Sequence, residues 1–281
     1  MTSTIFFIFG TILILYLALC IAVKYFQNRL IITPGPAVDI TPEIINMEYE
    51  EVWISSQNHQ EKIHGWWIDT NKDSAPTVLY LHGNATSLSD HIEITQLFNS
   101  MSFNCLIIDY RGYGKSEGDF PTEQRMYEDA ASAYLFLTHN KKINPNQLIV
   151  HGHSLGGAIA LDIVSHYHLA GAIIESSFTS IRDMSKRKKI YRFLPISLIL
   201  NQEFDSLEKV KKISIPLLFM HGEKDRFVSS KMGKLLYKHS ISNDKKIVLF
   251  SQGGHANLKI VEEEKYIKSI SKFIEEKTKN A

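Results

Sequence analysis

Only two cysteines occur in 281 residues, Cys20 and Cys105. Both sit in apolar stretches, so neither a disulfide scaffold nor a Cys/His structural zinc site is in view. Formal net charge is +1, so no global field recruits nucleic acid or acidic substrates. Two nucleotide signatures also fail. Asp109-Tyr110-Arg111-Gly112-Tyr113-Gly114-Lys115-Ser116 has neither the G-x-x-x-x-G-K-[ST] spacing of a phosphate loop nor G-x-G-x-x-G. Its glycines suit a tight turn, and Asp109 is expected to be structural, pairing locally or with Arg111. No cofactor and no metal is expected. What remains is a globular composition, 44% hydrophobic and 22% charged, with length for one large α/β domain.

The N-terminus lacks charge altogether. Thr4 to Val23 is uncharged and almost wholly apolar, and about 20 such residues span a bilayer as a helix. No basic residue precedes the run and no small-x-small cleavage site ends it, which favours a retained single-pass anchor over a cleaved signal. Lys24 and Arg29 follow the run with no positive charge before it, so the rest of the chain is expected on the cytoplasmic side. Residues 24–44 read as a linker, broken from the anchor by Thr33-Pro34-Gly35-Pro36. Residues 45–281 read as the folded domain.

Within that domain, apolar runs alternate with amphipathic stretches. Met47–Ile54 and Lys62–Asp69 read as an antiparallel pair joined by a polar turn at Gln57-Asn58-His59-Gln60. Thr77–Leu81, Cys105–Asp109, Leu148–His151, Ala170–Glu175, Pro216–His221 and Lys246–Phe250 read as buried strands. Helices are expected over about 88–99, 123–139, 155–165 and 258–277. This pattern predicts a mostly parallel sheet covered on both faces. Residues 176–215 interrupt it and are too long for a simple loop, so they are expected to form a small helical cap. The basic and aromatic run Ser185–Phe193 is either a solvated face or a surface resting on anionic headgroups.

Gly152-His153-Ser154-Leu155-Gly156 ends one strand and opens a helix. The pattern places a serine on a strained strand-to-helix turn. A serine hydroxyl needs a histidine to take its proton and an acid to orient that histidine. Asp225, in His221-Gly222-Glu223-Lys224-Asp225, and His255, in Gly254-His255-Ala256-Asn257, follow later strands in that chain order. Glu223 is the rival acid. His151 and His153 flank the serine as support or packing. Oxyanion donors are expected at the backbone N–H of Leu155 and of Asn84, in Leu81-His82-Gly83-Asn84-Ala85. Asn84-Ala85-Thr86 also matches a glycosylation sequon, but a glycan there would obstruct the site.

These segments, with Glu175-Ser176-Ser177-Phe178-Thr179-Ser180, resemble the α/β-hydrolase superfamily over about residues 45–279. Within it the chain is similar to the membrane-tethered "alpha/beta hydrolase domain-containing" serine hydrolases. The resemblance implies an α/β-hydrolase fold with Ser154 as nucleophile, Asp225 as acid, His255 as base and oxyanion N–H groups at Asn84 and Leu155. It implies hydrolysis of a carboxylic ester or thioester through an acyl-serine, on a lipid-like or S-acylated substrate. A serine peptidase and a non-enzymatic binding protein of the same fold are the alternatives. Ser177 stands where such relatives often carry Pro, a departure at the cap entry expected to leave the triad untouched.

Overall fold

The computed structural model describes residues 2–37, 39–56 and 61–279. The polar turn expected at Gln57–Gln60 lies outside the described residues. Among those described, eight strands form one sheet in the order β1-β2-β4-β3-β5-β6-β7-β8. They are β1 (Glu50–Ser55), β2 (Lys62–Ile68), β3 (Thr77–Leu81), β4 (Asn104–Ile108), β5 (Leu148–His153), β6 (Gly171–Glu175), β7 (Leu217–Gly222) and β8 (Lys245–Phe250). β1 pairs antiparallel with β2, and β2 antiparallel with β4. From β4 to β8 every pairing is parallel. The expected antiparallel entry and parallel body are both present.

Ten α-helices accompany the sheet in the described residues: α1 (Thr2–Ile31), α2 (Ile92–Ser100), α3 (Glu123–Leu135), α4 (Leu155–His166), α5 (Ile181–Lys186), α6 (Ile196–Ile199), α7 (Ser206–Val210), α8 (Ser230–His239), α9 (Leu258–Val261) and α10 (Glu263–Thr278). Strand side chains alternate between faces with a period of two. Leu79, Leu81, Leu148 and Val150 therefore join the core beneath α3, α4, α7 and α8. Val78, Tyr80, Ile149 and Ile173 join the core beneath α2 and α10. Each fully buried Leu or Ile stabilises by about 2 kcal/mol.

Three elements depart from the sequence expectation. α8 fills a stretch where no helix was expected. Its buried stripe is only Met232, Gly233 and Leu236, and Gly233 leaves room for the His221 ring where a larger side chain would have signalled the face. The expected helix over 258–277 is broken at Glu262 (φ −140°, ψ 56°), whose carboxylate instead accepts from the Gln252 N–H at 3.0 Å. The apolar N-terminal run continues as helix past Val23 to Ile31, because the first residue that cannot continue a helix is Pro34.

α1 is long and apolar enough to cross a membrane, and 6% of its most apolar window is buried against the rest of the chain. That exposure separates it from the core helix of a soluble domain. Its second half packs on α6. There Gln27 is buried: its Nε2 donates to the Ile199 carbonyl (2.9 Å) and its Oε1 accepts from the Asn201 N–H (2.8 Å). Higher up the helix, the Tyr16 hydroxyl donates to the Phe193 carbonyl at 2.9 Å.

Candidate active site

β5 runs into Ser154, which adopts φ 55° and ψ −113° and leads directly into α4. A side chain at positive φ is strained unless its surroundings hold it. Here they do. The Ser154 N–H donates to the Glu175 carbonyl at 2.8 Å. The Ser154 carbonyl accepts from the Gly157 N–H at 3.1 Å and from the Ser177 hydroxyl at 2.8 Å. Ser177, at the cap entry, thus braces the backbone of Ser154. Two glycines make the turn possible. A Cβ on Gly152 would fall against the Gly156 carbonyl, and one on Gly156 against the Leu81 carbonyl.

Asp225 lies just beyond β7 and His255 beyond β8, on adjacent loops at the carboxyl ends of parallel strands. His255 Nε2 is 3.0 Å from Ser154 Oγ, and His255 Nδ1 is 2.8 Å from Asp225 Oδ2. With Nδ1 protonated, Nε2 is free to accept the serine proton. Asp225 Oδ1 accepts from the Phe227 and Val228 N–H groups, each at 2.8 Å. Burial opposes charge on Asp225, but hydrogen bonds from His221 and His255, the charge of His255 and the Val228 N–H outweigh it. The carboxylate is held well below the usual range. Glu223, the rival acid, instead faces Lys234 at 3.3 Å with both side chains well exposed.

Supporting groups surround this chain. His153 Nε2 meets the His255 carbonyl at 3.0 Å. On the other face of the sheet, Glu175 accepts from His151 Nε2 (2.8 Å) and from the Tyr266 hydroxyl (2.9 Å). Burial opposes charge on Glu175, yet these partners and His153 lower its pKa. Asp109 accepts from the Leu88 N–H at 3.1 Å and lies 3.3 Å from His82 Nε2. Pairing of Asp109 with Arg111 is not found: Arg111 binds Asp129 (2.6 Å), Glu128 (2.8 Å) and Glu61 (3.2 Å).

The Asn84 side chain is held through both its oxygen and its nitrogen. Its Nδ2 donates to the Ile31 carbonyl (2.9 Å), and its Oδ1 accepts from the Thr33 N–H (2.8 Å) and the Tyr113 hydroxyl (2.9 Å). The Ala85 N–H donates to the Thr33 carbonyl at 2.8 Å. The loop beside the serine is thereby bolted to the end of α1. The Asn84 N–H meets no acceptor among the described residues. The Leu155 N–H, at the first position of α4, has no earlier helical carbonyl to donate to.

A cavity of about 380 Å³ opens above Ser154, with Asn84 and Leu155 in its lining. Its walls are Phe178, Met184, Ile196 and Ile199 from the cap side, Phe227 from the Asp225 loop, and Val23, Gln27, Leu30 and Ile31 from α1. The charged side chains in the lining are Arg187, Lys188 and Arg226. Arg187 also ties the cap to the Asp225 loop, donating to the Phe227 and Arg226 carbonyls at 2.9 and 3.1 Å.

The contribution of α1 to this cavity is the main feature that the sequence reading misses. A signal was available. Tyr16, Cys20, Val23, Gln27 and Leu30 recur at spacings of four, three, four and three, one face of a helix. Reading the run for hydropathy alone conceals the stripe.

Known proteins resemble this chain in sequence and in fold. The family model described as Hydrolase_4, serine aminopeptidase S33, matches residues 72–203 and 197–263. The alpha/beta hydrolase domain-containing protein WAV2 of Arabidopsis thaliana is 27% identical over 300 residues, spanning 97% of this chain and 94% of that protein. A Danio rerio protein named lysophosphatidylserine lipase ABHD12 is 36% identical over 63% of this chain and 50% of its own length. Among solved structures, the Pyrococcus furiosus esterase Pf2001 superposes with a TM-score of 0.74, at 22% identity over 88% of this chain and 97% of that one. That likeness speaks for the fold. With a family match across most of the folded domain, the chain is an α/β-hydrolase of the serine aminopeptidase S33 (Hydrolase_4) family.

Proposed function

We propose that this hydrolase cleaves carboxylic ester or thioester bonds of a long-chain acyl substrate through an acyl-serine. The observation that carries the reading is the Asp225–His255–Ser154 hydrogen-bond chain opening directly into an apolar cavity. Ser154 Oγ attacks the acyl carbon while His255 Nε2 takes its proton. Asp225 holds the imidazole with Nδ1 protonated and stabilises the imidazolium. The Asn84 and Leu155 N–H groups receive the developing oxyanion, where the loss of one donor costs about 3 kcal/mol. His255 then returns the proton to the departing alcohol or thiol. Water, deprotonated by His255, attacks the acyl-serine, releasing the carboxylic acid and restoring the Ser154 hydroxyl.

The family description and the cavity chemistry pull in different directions on the leaving group. An aminopeptidase must hold the substrate's α-ammonium, which calls for a carboxylate. No Asp or Glu stands among the described residues lining the cavity, whereas three cations do. Apolar walls with a cationic rim suit an acyl chain attached to an anionic or zwitterionic head, in keeping with the lipase name of the Danio rerio relative. α1 then serves as a membrane anchor over about residues 4–23. Residues 24–44 connect it to the hydrolase domain of 45–281, whose cap is 176–215, on the cytoplasmic side.

A fluorophosphonate probe tests the chemistry. Wild-type protein should label and Ser154→Ala should not; equal labelling of the two would sink the nucleophile assignment. A series of esters and thioesters of rising chain length tests the cavity. Preference for acyl chains of about eight carbons or more is expected, since each buried CH₂ contributes about 0.8 kcal/mol.

A further inference from the structure

We propose that the cap is immersed in the membrane, with Ile190, Phe193 and Leu198 entering the acyl layer of the leaflet that α1 leaves. The proposal rests on α1 being the anchor and adds where the cap lies against it. These three side chains are 71%, 79% and 76% exposed, and none of them lines the cavity. Side chains of this size, set close together in one cap, mark a surface that something else covers.

The axial register of α1 identifies the cover. Its uncharged run ends at Val23, before Lys24. The Tyr16 hydroxyl meets the Phe193 carbonyl on the cap, and Tyr16 lies one turn pair before Val23, about 10 Å along the axis at 1.5 Å per residue. If Thr4–Val23 fills the hydrocarbon layer, Phe193 cannot stay in water without pulling residues 16–23 of that run out of the bilayer. Interfacial elements commonly bury their apolar face about 5–10 Å deep, which matches this offset. The flanking charges agree. Lys189 and Arg192 flank the apolar tip in sequence and are exposed, as expected of bases that reach anionic headgroups while their stems lie along apolar surface.

The register also places the cavity. Its α1 wall begins at Val23, where the apolar run ends, and continues to Ile31. An acyl chain therefore leaves the hydrocarbon layer alongside α1 and rises into the cavity without crossing bulk water.

Nitroxide accessibility in the full-length protein tests this. In a chain carrying Cys20→Ala and Cys105→Ala, single cysteines at Ile8, Phe193, Leu198 and Glu276 are spin-labelled. The protein is placed in vesicles of phosphatidylcholine with one-fifth phosphatidylglycerol. Collisions with oxygen should exceed those with a water-soluble nickel chelate at 8, 193 and 198, with the reverse at 276. Lipid contact at 8 but water at 193 and 198 would overturn the immersed cap and leave the anchor standing. Water at 8 would overturn both. A second arm uses Ile190→Asp, Phe193→Asp and Leu198→Asp together. Hydrolysis of a short soluble nitrophenyl ester should be retained, showing a folded site. Hydrolysis of a long-chain monoacyl lipid in the same vesicles should fall about tenfold or more. Equal retention of both rates would count against the proposal, and loss of label by a fluorophosphonate probe in the parent chain would instead strike at the hydrolase mechanism.

Discussion

Beneath and beside Ser154, polar groups are buried and paired. Glu175 holds His151 and Tyr266, Asp225 holds His255 and two backbone N–H groups, and Ser177 holds the Ser154 carbonyl. Above it the construction reverses. The cavity is walled mostly by apolar side chains, and the cap turns Ile190, Phe193 and Leu198 outward. Glu175, Asp225 and Ser177 find their partners within the chain, where an unpaired buried polar group costs about 1–3 kcal/mol. Ser154, Asp225 and His255 thus follow strands of the sheet, and the cavity above them is walled by a thin cap and one long helix.

The largest effect should come from breaking the lower region. Asp225→Asn keeps the shape of the side chain but donates where His255 must donate, so kcat should drop about 10⁴-fold, measured on a short soluble ester. A loss under tenfold would mean that Asp225 does not set the imidazole tautomer. The same variant carries a pH signature. The folded carboxylate titrates below its unfolded value of about 3.9, so its contribution to stability is present above about pH 4 and is lost as pH falls through the folded value. The difference in urea midpoint between wild type and Asp225→Asn should therefore shrink below about pH 4. A difference that grows there would reverse the assigned direction.

Gly156→Ala comes next and attacks the turn rather than the chemistry. Its Cβ would meet the Leu81 carbonyl, which belongs to a buried strand and cannot move aside. Destabilisation of about 3 kcal/mol is expected, a fall in Tm of roughly 6–12 °C. An unchanged Tm would show that the turn is looser than the contrast requires.

The smallest effect should come from the upper region. Gln27→Leu removes both hydrogen bonds that tie α1 to the cap at Ile199 and Asn201. Tm should fall by roughly 2–4 °C, as about 1 kcal/mol is lost with the two bonds, and kcat/KM on a short ester should hold. KM for a long-chain substrate should rise about tenfold, near 1.4 kcal/mol, because the cavity wall loses its register. An equal loss on both substrates would place Gln27 with the chemistry and erase the distinction between the two regions.

The two regions also differed in how much the sequence disclosed. Buried strands such as Thr77–Leu81 stand out because parallel strands are apolar on both faces. The strand-end positions of Ser154, Asp225 and His255 follow from chain order and local glycines. The hydrogen bonds to Glu175 did not, since they join residues from β5, β6 and α10 whose contact depends on the finished sheet. α8 was obscured because Gly233 occupies its buried face. The role of α1 was obscured because the stripe that faces the cap and, from Val23 onward, lines the cavity begins inside an apolar run with no polar background to stand against.

The bolt between Asn84 and the end of α1 has a practical side. Single-pass enzymes are often made water-soluble by deleting everything before the folded domain. Here a cut at Pro34 would strip Gln27, Leu30 and Ile31 from the cavity, together with the partners of Asn84 and Ala85 at Ile31 and Thr33. A cut just after Val23 would spare them. The useful border for a shortened chain therefore runs through the middle of a continuous helix, between its exposed apolar turns and the turns that line the cavity.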